Sequence, residues 1–336
     1  MLARILSRSL LALLAVFATS AHAQFFRTYL ALDGNDANPC TLQQPCRLLP
    51  AALAAVAPGG EIWLLDAANY NTATVNVTKS VTILAVPGVV GSVVAAGGPA
   101  ISIATAGVEV ALRNLVIVPL PGAGGTNGVS MTLGAALTVE NCLIANVSGS
   151  GIAVSTPSDV RVTDTTIRGV SGFGILVNGG AKATVTRARV SDVGSIGLRA
   201  RGDIAGTTTT LDIIASTVDT GLHGVSALSD NATADLRVSV SDSLIARNDN
   251  IGVTATSGAG AEVSVAVTNN RIVNNGTIGV YASGAGAKVW ASANTVSNNG
   301  TGIGNSGAIF ETAGNNAVRN NFGSQTLGTI TVVAME

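Results

Sequence analysis

The sequence predicts an all-β fold, a parallel β-helix with three strands per rung. A glycine followed by an aliphatic residue recurs every 23 to 28 positions through the C-terminal two-thirds of the chain. The pairs are Gly128-Val129, Gly151-Ile152, Gly174-Ile175, Gly197-Leu198, Gly224-Val225, Gly252-Val253, Gly279-Val280 and Gly302-Ile303. Such a period indicates stacked structural units and not a globule closed around one core.

Each repeat has the pattern of three short strands. Residues 151–172 read GIAVSTPSDVRVTDTTIRGVSG, in which three alternating runs are separated by Ser, Thr, Pro, Asp and Gly. This length leaves no room for a crossover helix, so each strand must lie parallel to its copy one turn later. At ~4.8 Å per rung, about eleven rungs would form a rod roughly 50 Å long.

Aliphatic residues recur at two fixed positions of the repeat and are the predicted core. The third strands contribute Ile144, Ile167, Val190, Val218, Ile245, Ile272, Val296 and Val318. The second strands contribute Leu137, Val160, Ala183, Leu211, Val238, Val265 and Val289. Three longer units insert residues 203–209, 230–235 and 257–262 on one side of the rod. Asn-rich turns (Asn248 and Asn250, residues 274–276 and 298–300) are typical of left-handed corners.

The N-terminal 23 residues have the pattern of a cleavable signal peptide. Arg4 and Arg8 precede a short apolar run, and Ala21-His22-Ala23 is a small-x-small site that places cleavage after Ala23. The protein is therefore expected to be secreted or periplasmic. No later stretch reaches the ~20 apolar residues that a membrane span needs.

Two further segments follow the signal peptide. Residues 24–63 are predicted to form a cap, with a helix from Leu48 to Val56 that has Pro50 in its first turn and covers the first rung. Residues 64–336 are predicted to form the β-helix with a short C-terminal closing segment. Within the cap, Cys40 and Cys46 flank a short loop, and an exported chain favours a disulfide there over the alternative of a metal pair.

Composition excludes several classes of protein. Charged residues are 11% and aromatic residues 3% of the chain, but aliphatic residues are abundant, so the chain is not of the disordered type. Without the two leader arginines, 16 basic residues face 19 acidic ones, a net charge near −3. Nucleic-acid binders usually concentrate Lys and Arg on one face, and no such concentration is seen.

The chain resembles secreted right-handed parallel β-helix proteins of the pectate-lyase-like superfamily. The resemblance rests on the leader, the segment TYLALDGND (28–36), the cap helix, Gly59-Gly60-Glu61-Ile62 and the Asn-Gly-punctuated rungs. It implies a right-handed coil, and in enzymes of this kind the groove along the first-strand sheet carries the site. The superfamily includes lyases, hydrolases, esterases, tailspikes and adhesins, so fold alone does not define activity.

Known catalytic motifs of these enzymes are missing. Polygalacturonase-like members carry Asn-Thr-Asp, Asp-Asp, Gly-His-Gly and Arg-Ile-Lys, whereas this chain has Leu222-His223-Gly224 and no Asp-Asp pair. The Trp-x-Asp-His and Arg-x-Pro-x-x-Arg motifs of pectate lyases are also absent from the sequence. No metal site is predicted.

Arg199 and Arg201 are the strongest candidates for a binding site. Both are predicted to point outward from one first strand, with Asn178 below and Asp203 in the following turn. Such a pair could grip a uronate carboxylate, because the guanidinium presents a planar fork of donors. The alternative is a pair of solvated arginines that maintain solubility.

His223, Tyr281 and Trp290 are weaker candidates. His223 could act as an acid at a rung corner, or be a half-buried ring bonded to a turn carbonyl. Trp290 is predicted on the outer face of a second strand, where it could stack on a sugar or pack on the tail. Tyr281 is predicted on a different sheet.

Two functions remain open on this basis. The first is a non-catalytic exported protein whose polar surface serves adhesion, matrix contact or polysaccharide binding, without a cofactor. The second is a polysaccharide lyase or glycoside hydrolase acting on an acidic polysaccharide along the first-strand groove. The second would use Arg199, Arg201, Asp203 and His223, and only a lyase would call for Ca²⁺.

Overall fold

The short alternating runs each form a strand, and the chain winds into a right-handed parallel β-helix with three sheets. The computed structural model describes residues 24–334. The predicted signal peptide, residues 1–23, lies outside the described residues. Every strand pairing between successive turns is parallel, as the repeat predicts.

From β4 onward each turn contributes one strand to each of three sheets, which are named here sheet 1, sheet 2 and sheet 3 in the order in which a repeat supplies them. Sheet 1 contains β4 (Val75–Val77), β7 (Ile101–Ala104), β10 (Val129–Leu133), β13 (Ile152–Ser155), β16 (Ile175–Asn178), β19 (Ile196–Gly202), β22 (His223–Ser229), β25 (Ile251–Ser257), β28 (Ile278–Ser283), β31 (Thr301–Ser306) and β34 (Ser324–Leu327). Sheet 2 contains β1 (Phe25–Leu30), β2 (Val56–Leu64), β5 (Val81–Ala85), β8 (Glu109–Arg113), β11 (Ala136–Glu140), β14 (Asp159–Thr163), β17 (Lys182–Thr186), β20 (Thr208–Ile214), β23 (Asp235–Ser241), β26 (Val263–Thr268), β29 (Ala287–Ser292), β32 (Ile309–Thr312) and β35 (Thr331–Val332). Sheet 3 contains β3 (Ala68–Asn69), β6 (Gly91–Ala95), β9 (Leu115–Pro119), β12 (Leu143–Ala145), β15 (Thr166–Val170), β18 (Arg189–Val193), β21 (Thr217–Asp219), β24 (Leu244–Ala246), β27 (Arg271–Val273), β30 (Thr295–Ser297) and β33 (Ala317–Arg319).

The predicted interior columns are confirmed. Ile144 pairs with Ile167, and the same register continues up sheet 3 to Val296 and Val318. Leu137 and Val160 begin the matching column in sheet 2. These side chains are buried, apart from the partly buried Val318 in the last turn. The core is therefore a continuous aliphatic stack along the rod axis.

Asparagine ladders run along two corners of the coil. Asn274 and Asn298 adopt the expected left-handed conformation, with φ of 59° and 58°. At the preceding turn the expectation for Asn248 and Asn250 is wrong, because Arg247 adopts the positive φ there and Asn248 is buried instead. The residue after each corner points inward, and its amide bonds to the amide of the next turn. One ladder is Asn248, Asn275, Asn299 and Asn321, and the other is Asn270, Asn294 and Asn316.

The N-terminal segment contains helix α1 (Leu49–Ala55), with Pro50 in its first turn as predicted. Leu49, Ala52 and Leu53 of α1 are buried against the first turns of the coil. The predicted Cys40–Cys46 disulfide is present. Strands β1 and β2 lie in the same segment and form the first two strands of sheet 2. Across residues 24–334, α1 is too short to cross a bilayer and no other helix meets that requirement.

Candidate functional site

The candidate site lies where the rungs widen, at the junction of sheets 1 and 2. Strand β16 has four residues, whereas β19, β22 and β25 have seven each. The inserted residues therefore lengthen the strands as well as the turns that follow. Arg201 lies in the extension of β19, and Asp203 and Asp230 directly follow the extended strands.

Arg201 is held between two carboxylates. Its Nε lies 3.6 Å from Asp203 Oδ2 and its Nη2 lies 3.8 Å from Asp230 Oδ2. The Asn178 amide donates to both carboxylate oxygens of Asp203, at 3.2 and 3.1 Å. Asn178, Arg201 and Asp203 are thus brought together as predicted, with Asp230 added from the next rung. The two nearby carboxylates oppose the charge of Arg201, so it is a weaker anchor for an outside anion than an arginine without such partners.

Arg199 is different, although it leaves the same strand. Its guanidinium carbon lies 5.4 Å from the centroid of the Phe173 ring, a cation–π contact. Within residues 24–334 no carboxylate approaches Arg199 within 4 Å, and its buried Nε has no hydrogen-bond partner. Burial, and then the charge of Arg201, lower the pKa of Arg199, while Asp230 and Asp203 act in the opposite direction. Arg199 is therefore a fixed cation without a carboxylate partner.

His223 begins the next strand of sheet 1, directly above Ile196 in register. The ring is half-buried, as expected, but its Nδ1 is buried without a partner, so the expected bond to a turn carbonyl is not formed at that atom. Burial, and then the nearby charge of Arg199, lower the pKa of His223. The ring is consequently neutral at pH 7.

The two aromatic candidates lie away from the arginines. Tyr281 is in the same column of sheet 1 as Arg199, three rungs further on, which is roughly 14 Å. A Cβ on Gly304 of the next rung would lie 3.1 Å from the Tyr281 ring, so the ring packs over that glycine. Trp290 lies on sheet 2, paired with Ala266 and Glu311, and does not share a surface with Tyr281.

Sequence reasoning missed two partners at the site. Phe173 is not among the residues that the sequence singles out, yet its ring is the surface over which Arg199 lies. Asp230 was included only in an insertion, yet it faces Arg201. A usable signal existed, because Asp203 and Asp230 follow their strands at equivalent places in successive long repeats, 27 residues apart.

A second polar and aromatic cluster, also missed, lies on sheet 2 near the N-terminal end. The Arg27 guanidinium carbon lies 4.0 Å from the Trp63 ring centroid, and Arg27 Nε donates to Glu61 at 2.7 Å. The Tyr29 and Trp63 rings meet edge to face, with centroids 6.4 Å apart. Because Arg27 covers one face of the indole, this cluster is less open to a stacked sugar than its residue types imply.

The side chains of the site do not form an evident metal centre. In the described part of the chain, no three residues of the types His, Cys, Asp and Glu converge as a metal site would require. Two carboxylates lie nearest to the arginines, and both face Arg201. Because Ca²⁺ takes six to eight oxygen ligands, these residues do not fit the calcium that a lyase would call for.

Comparison with known proteins identifies the family. The family profile described as the right handed beta helix region matches residues 100–323, two-thirds of the chain. The chain belongs to this family, and its fold is pectate-lyase-like. A search of curated protein sequences found no significant match.

Solved structures with the same fold include polysaccharide-degrading enzymes and a tailspike. The polygalacturonase from Erwinia carotovora ssp. carotovora superposes with a TM-score of 0.59 at 11% identity, covering 93% of this chain and 97% of that one. Pectate lyase Pel9A gives 0.56 at 15% identity, covering 94% and 79% of the two chains. The Dettilon tailspike protein gives 0.55 at 13%, covering 90% and 69%. At these identities the similarity defines the fold alone.

Proposed function

We propose that this protein is exported and binds an acidic polysaccharide through the surface around Arg199, without cleaving it. The observation that carries the proposal is the half-buried Arg199, which has no carboxylate within 4 Å among the residues that the structure describes, whereas the neighbouring Arg201 has two. A cation already fixed over Phe173 loses little side-chain entropy when a carboxylate binds. Ser226 and Thr254 continue the column of Arg199 along sheet 1, but they are only 5% and 6% exposed, so the ligand is expected to contact the surface at Arg199 itself.

The local chemistry supports binding more than catalysis. General acid–base catalysis needs ionisable groups within hydrogen-bond reach of the reacting atoms and of one another. Asp203 is engaged by Asn178 and Arg201, and Asp230 faces Arg201. The other ionisable group near Arg199 is His223. Apart from burial, its pKa is lowered by the cation Arg199 and not by a carboxylate.

Export is supported by two features. The N-terminal residues have the signal-peptide pattern, and the Cys40–Cys46 disulfide is of a kind that persists in oxidising compartments. Polysaccharides occur in such compartments, where an exported protein can meet them. The pectate lyase and polygalacturonase with this fold bear names that refer to acidic polymers of sugars.

The alternative is an enzyme that acts on the same ligand at the same surface. One observation favours it: the half-buried, titratable His223 lies beside Arg199, and its second ring nitrogen, unlike the buried Nδ1, could exchange a proton with a bound sugar. In that case Arg199 would bind the carboxylate, and Arg201 and Asp203 would position the sugar.

One experiment separates the two functions. The purified exported protein is incubated with polygalacturonate, alginate and neutral dextran, with and without added Ca²⁺. Binding is measured by affinity electrophoresis in gels that contain each polymer, and turnover by the ultraviolet absorbance of unsaturated products and by reducing ends. We expect binding to the acidic polymers, none to dextran, and no turnover. Turnover that Arg199→Ala abolishes would establish the enzyme instead, and failure to bind any acidic polymer would overturn both.

A further inference from the structure

The strand edges at the two ends of the β-helix differ in how they are covered. A parallel sheet has two edges, and each exposes unpaired backbone N–H and C=O groups unless something covers it. In this coil the first edges belong to β1, β3 and β4, and the last edges to β33, β34 and β35. The two sets of edges are named here the head and the tail.

All three strands of the head are covered by residues of the N-terminal segment. The outer edge of β1 pairs with the disulfide loop, since Tyr29 N donates to Cys40 O at 2.9 Å and Cys46 N donates to Tyr29 O at 3.0 Å. At β3, Arg47 Nη1 donates to Asn69 O at 2.7 Å. At β4, helix α1 packs against the strand. The head is therefore closed to further strand pairing.

The tail has no comparable cover within residues 24–334. No later described strand pairs with β33, β34 or β35, and the single helix is at the opposite end. Gln325 ends one asparagine ladder by accepting from the Asn321 amide at 2.9 Å, but it covers only that corner. A cavity of 310 Å³ opens between the last turns, and its lining includes the apolar residues Ile303, Val318, Ile330 and Val332.

The tail also exposes large apolar side chains on an almost uncharged surface. Phe322 is 83% exposed, Val332 67% and Leu327 51%. Residues 312–334 contain one charged side chain, Arg319. Natural sheet edges are usually protected by charged residues, prolines or a covering element, and the tail has almost none of these. Several large exposed apolar side chains within the last turn are typical of an interaction site.

We infer that the tail binds the tail of a second copy of this chain. Three observations together indicate that the partner is a second copy. The head has its edges paired, so a head-to-tail stack would lack strand pairing on one side. Two tails face each other with little charge repulsion, because residues 312–334 of each copy contain one charged side chain, Arg319. Each tail offers both open strand edges and apolar side chains, so the surface is self-complementary, as a two-fold interface requires.

Such a contact closes after two copies and places the rods end to end. Because only the cross-section of the rod is buried, the interface is small, and the dimer is expected to be reversible. The two Arg199 surfaces would then be carried on one extended particle, so a polymer long enough to reach both would bind more tightly than a short oligomer.

The test is analytical ultracentrifugation of the exported protein over about 1 to 500 µM, a range suited to a small interface. We expect monomer and dimer in reversible equilibrium, and a maximum dimension by solution scattering close to twice that of the monomer. Phe322→Lys and, separately, Val332→Lys should weaken the dimer at least about tenfold, since each introduces a charge into the apolar surface that the dimer buries. Because both side chains are mostly exposed, the two variants should fold like the wild type, and circular dichroism checks this.

The matched control is at the other end of the rod. Phe26 is 62% exposed on β1, so Phe26→Lys adds the same charge to an equally exposed apolar position at the head. This variant should leave the dissociation constant unchanged. A monomer at every concentration, species larger than the dimer, or a dimer weakened by Phe26→Lys and not by the tail variants would each overturn the inference.

Discussion

Arg199 and Arg201 leave the same face of β19, two residues apart, yet only Arg201 meets carboxylates. Ala200 lies between them and is buried in the core, which fixes both arginines on the outside of sheet 1. Arg201 lies between Asp203 and Asp230, while Arg199 lies over Phe173. Two residues of one type on one strand are thus assigned different roles by their neighbours.

The first prediction concerns the two arginines. Arg199→Gln should lower the affinity for polygalacturonate at least about tenfold, because a charge-assisted contact to the ligand is lost. The control is Arg201→Gln combined with Asp230→Asn, which removes one charge of each sign. This pair should change the affinity less than about threefold, as expected for an exposed ion pair. Fluorescence anisotropy of a labelled oligomer measures the affinity of both variants. A larger loss of affinity in the double variant than in Arg199→Gln would contradict the assignment.

The second prediction concerns pH. Since burial and Arg199 lower the pKa of His223 in the folded state, the unfolded chain binds a proton more readily at this site. The folded state therefore loses stability as the pH falls below the unfolded value of about 6.5 and towards the lower folded value. The melting temperature of the wild type should fall more steeply than that of His223→Gln between about pH 7 and 5. Parallel curves would show that His223 does not couple to folding.

The third prediction concerns the asparagine ladder. Asn275 donates to Asn299 Oδ1 at 2.9 Å and accepts from Asn248 Nδ2 at 2.8 Å, so both halves of its amide are used in a buried corner. Asn275→Ala leaves several buried groups without partners, and we expect it to cost at least about 2 kcal/mol in the free energy of unfolding. Asn76, exposed on β4, is the control, and Asn76→Ala should cost no more than about 0.5 kcal/mol. Urea unfolding measures both variants, and equal losses would contradict a structural role for the ladder.

The fourth prediction concerns the cysteines. Replacing Cys40 and Cys46 together with serine should lower stability by roughly 2 kcal/mol, from the closure of a short loop. Cys142 should not react with thiol reagents in the folded protein, because burial raises the pKa of its thiol to about 11. One thiol per chain should therefore become reactive on unfolding of the unreduced wild type. More than one, under the same conditions, would show that the disulfide does not form.

Much of the fold could be predicted from the sequence because a repeat multiplies weak signals. A single aliphatic residue at Val160 carries little information, but the same position filled through seven turns fixes a column and its register. The N-terminal helix was predicted from Pro50 and its Ala/Leu run, and the structure confirms it within one residue at each end.

The site was harder to predict because its contacts depend on side-chain directions between rungs. Strand alternation placed Arg199 and Arg201 outside, but it does not show that one lies over Phe173 and the other between two carboxylates. The inward turn of Asn248 was also missed, since the corner conformation falls to its neighbour Arg247. Local sequence patterns determine which face of a strand a residue occupies, whereas the side chains that it contacts depend on the residues of the adjacent turns.

The most direct test of the proposed function compares two ligands that differ only in charge. A galacturonate oligomer and the same oligomer with its carboxyl groups reduced to alcohols are titrated into the wild-type protein by calorimetry. If Arg199 recognises a carboxylate, the acidic oligomer should bind at least about tenfold more tightly than the reduced one. Equal affinity for the two oligomers would contradict the account.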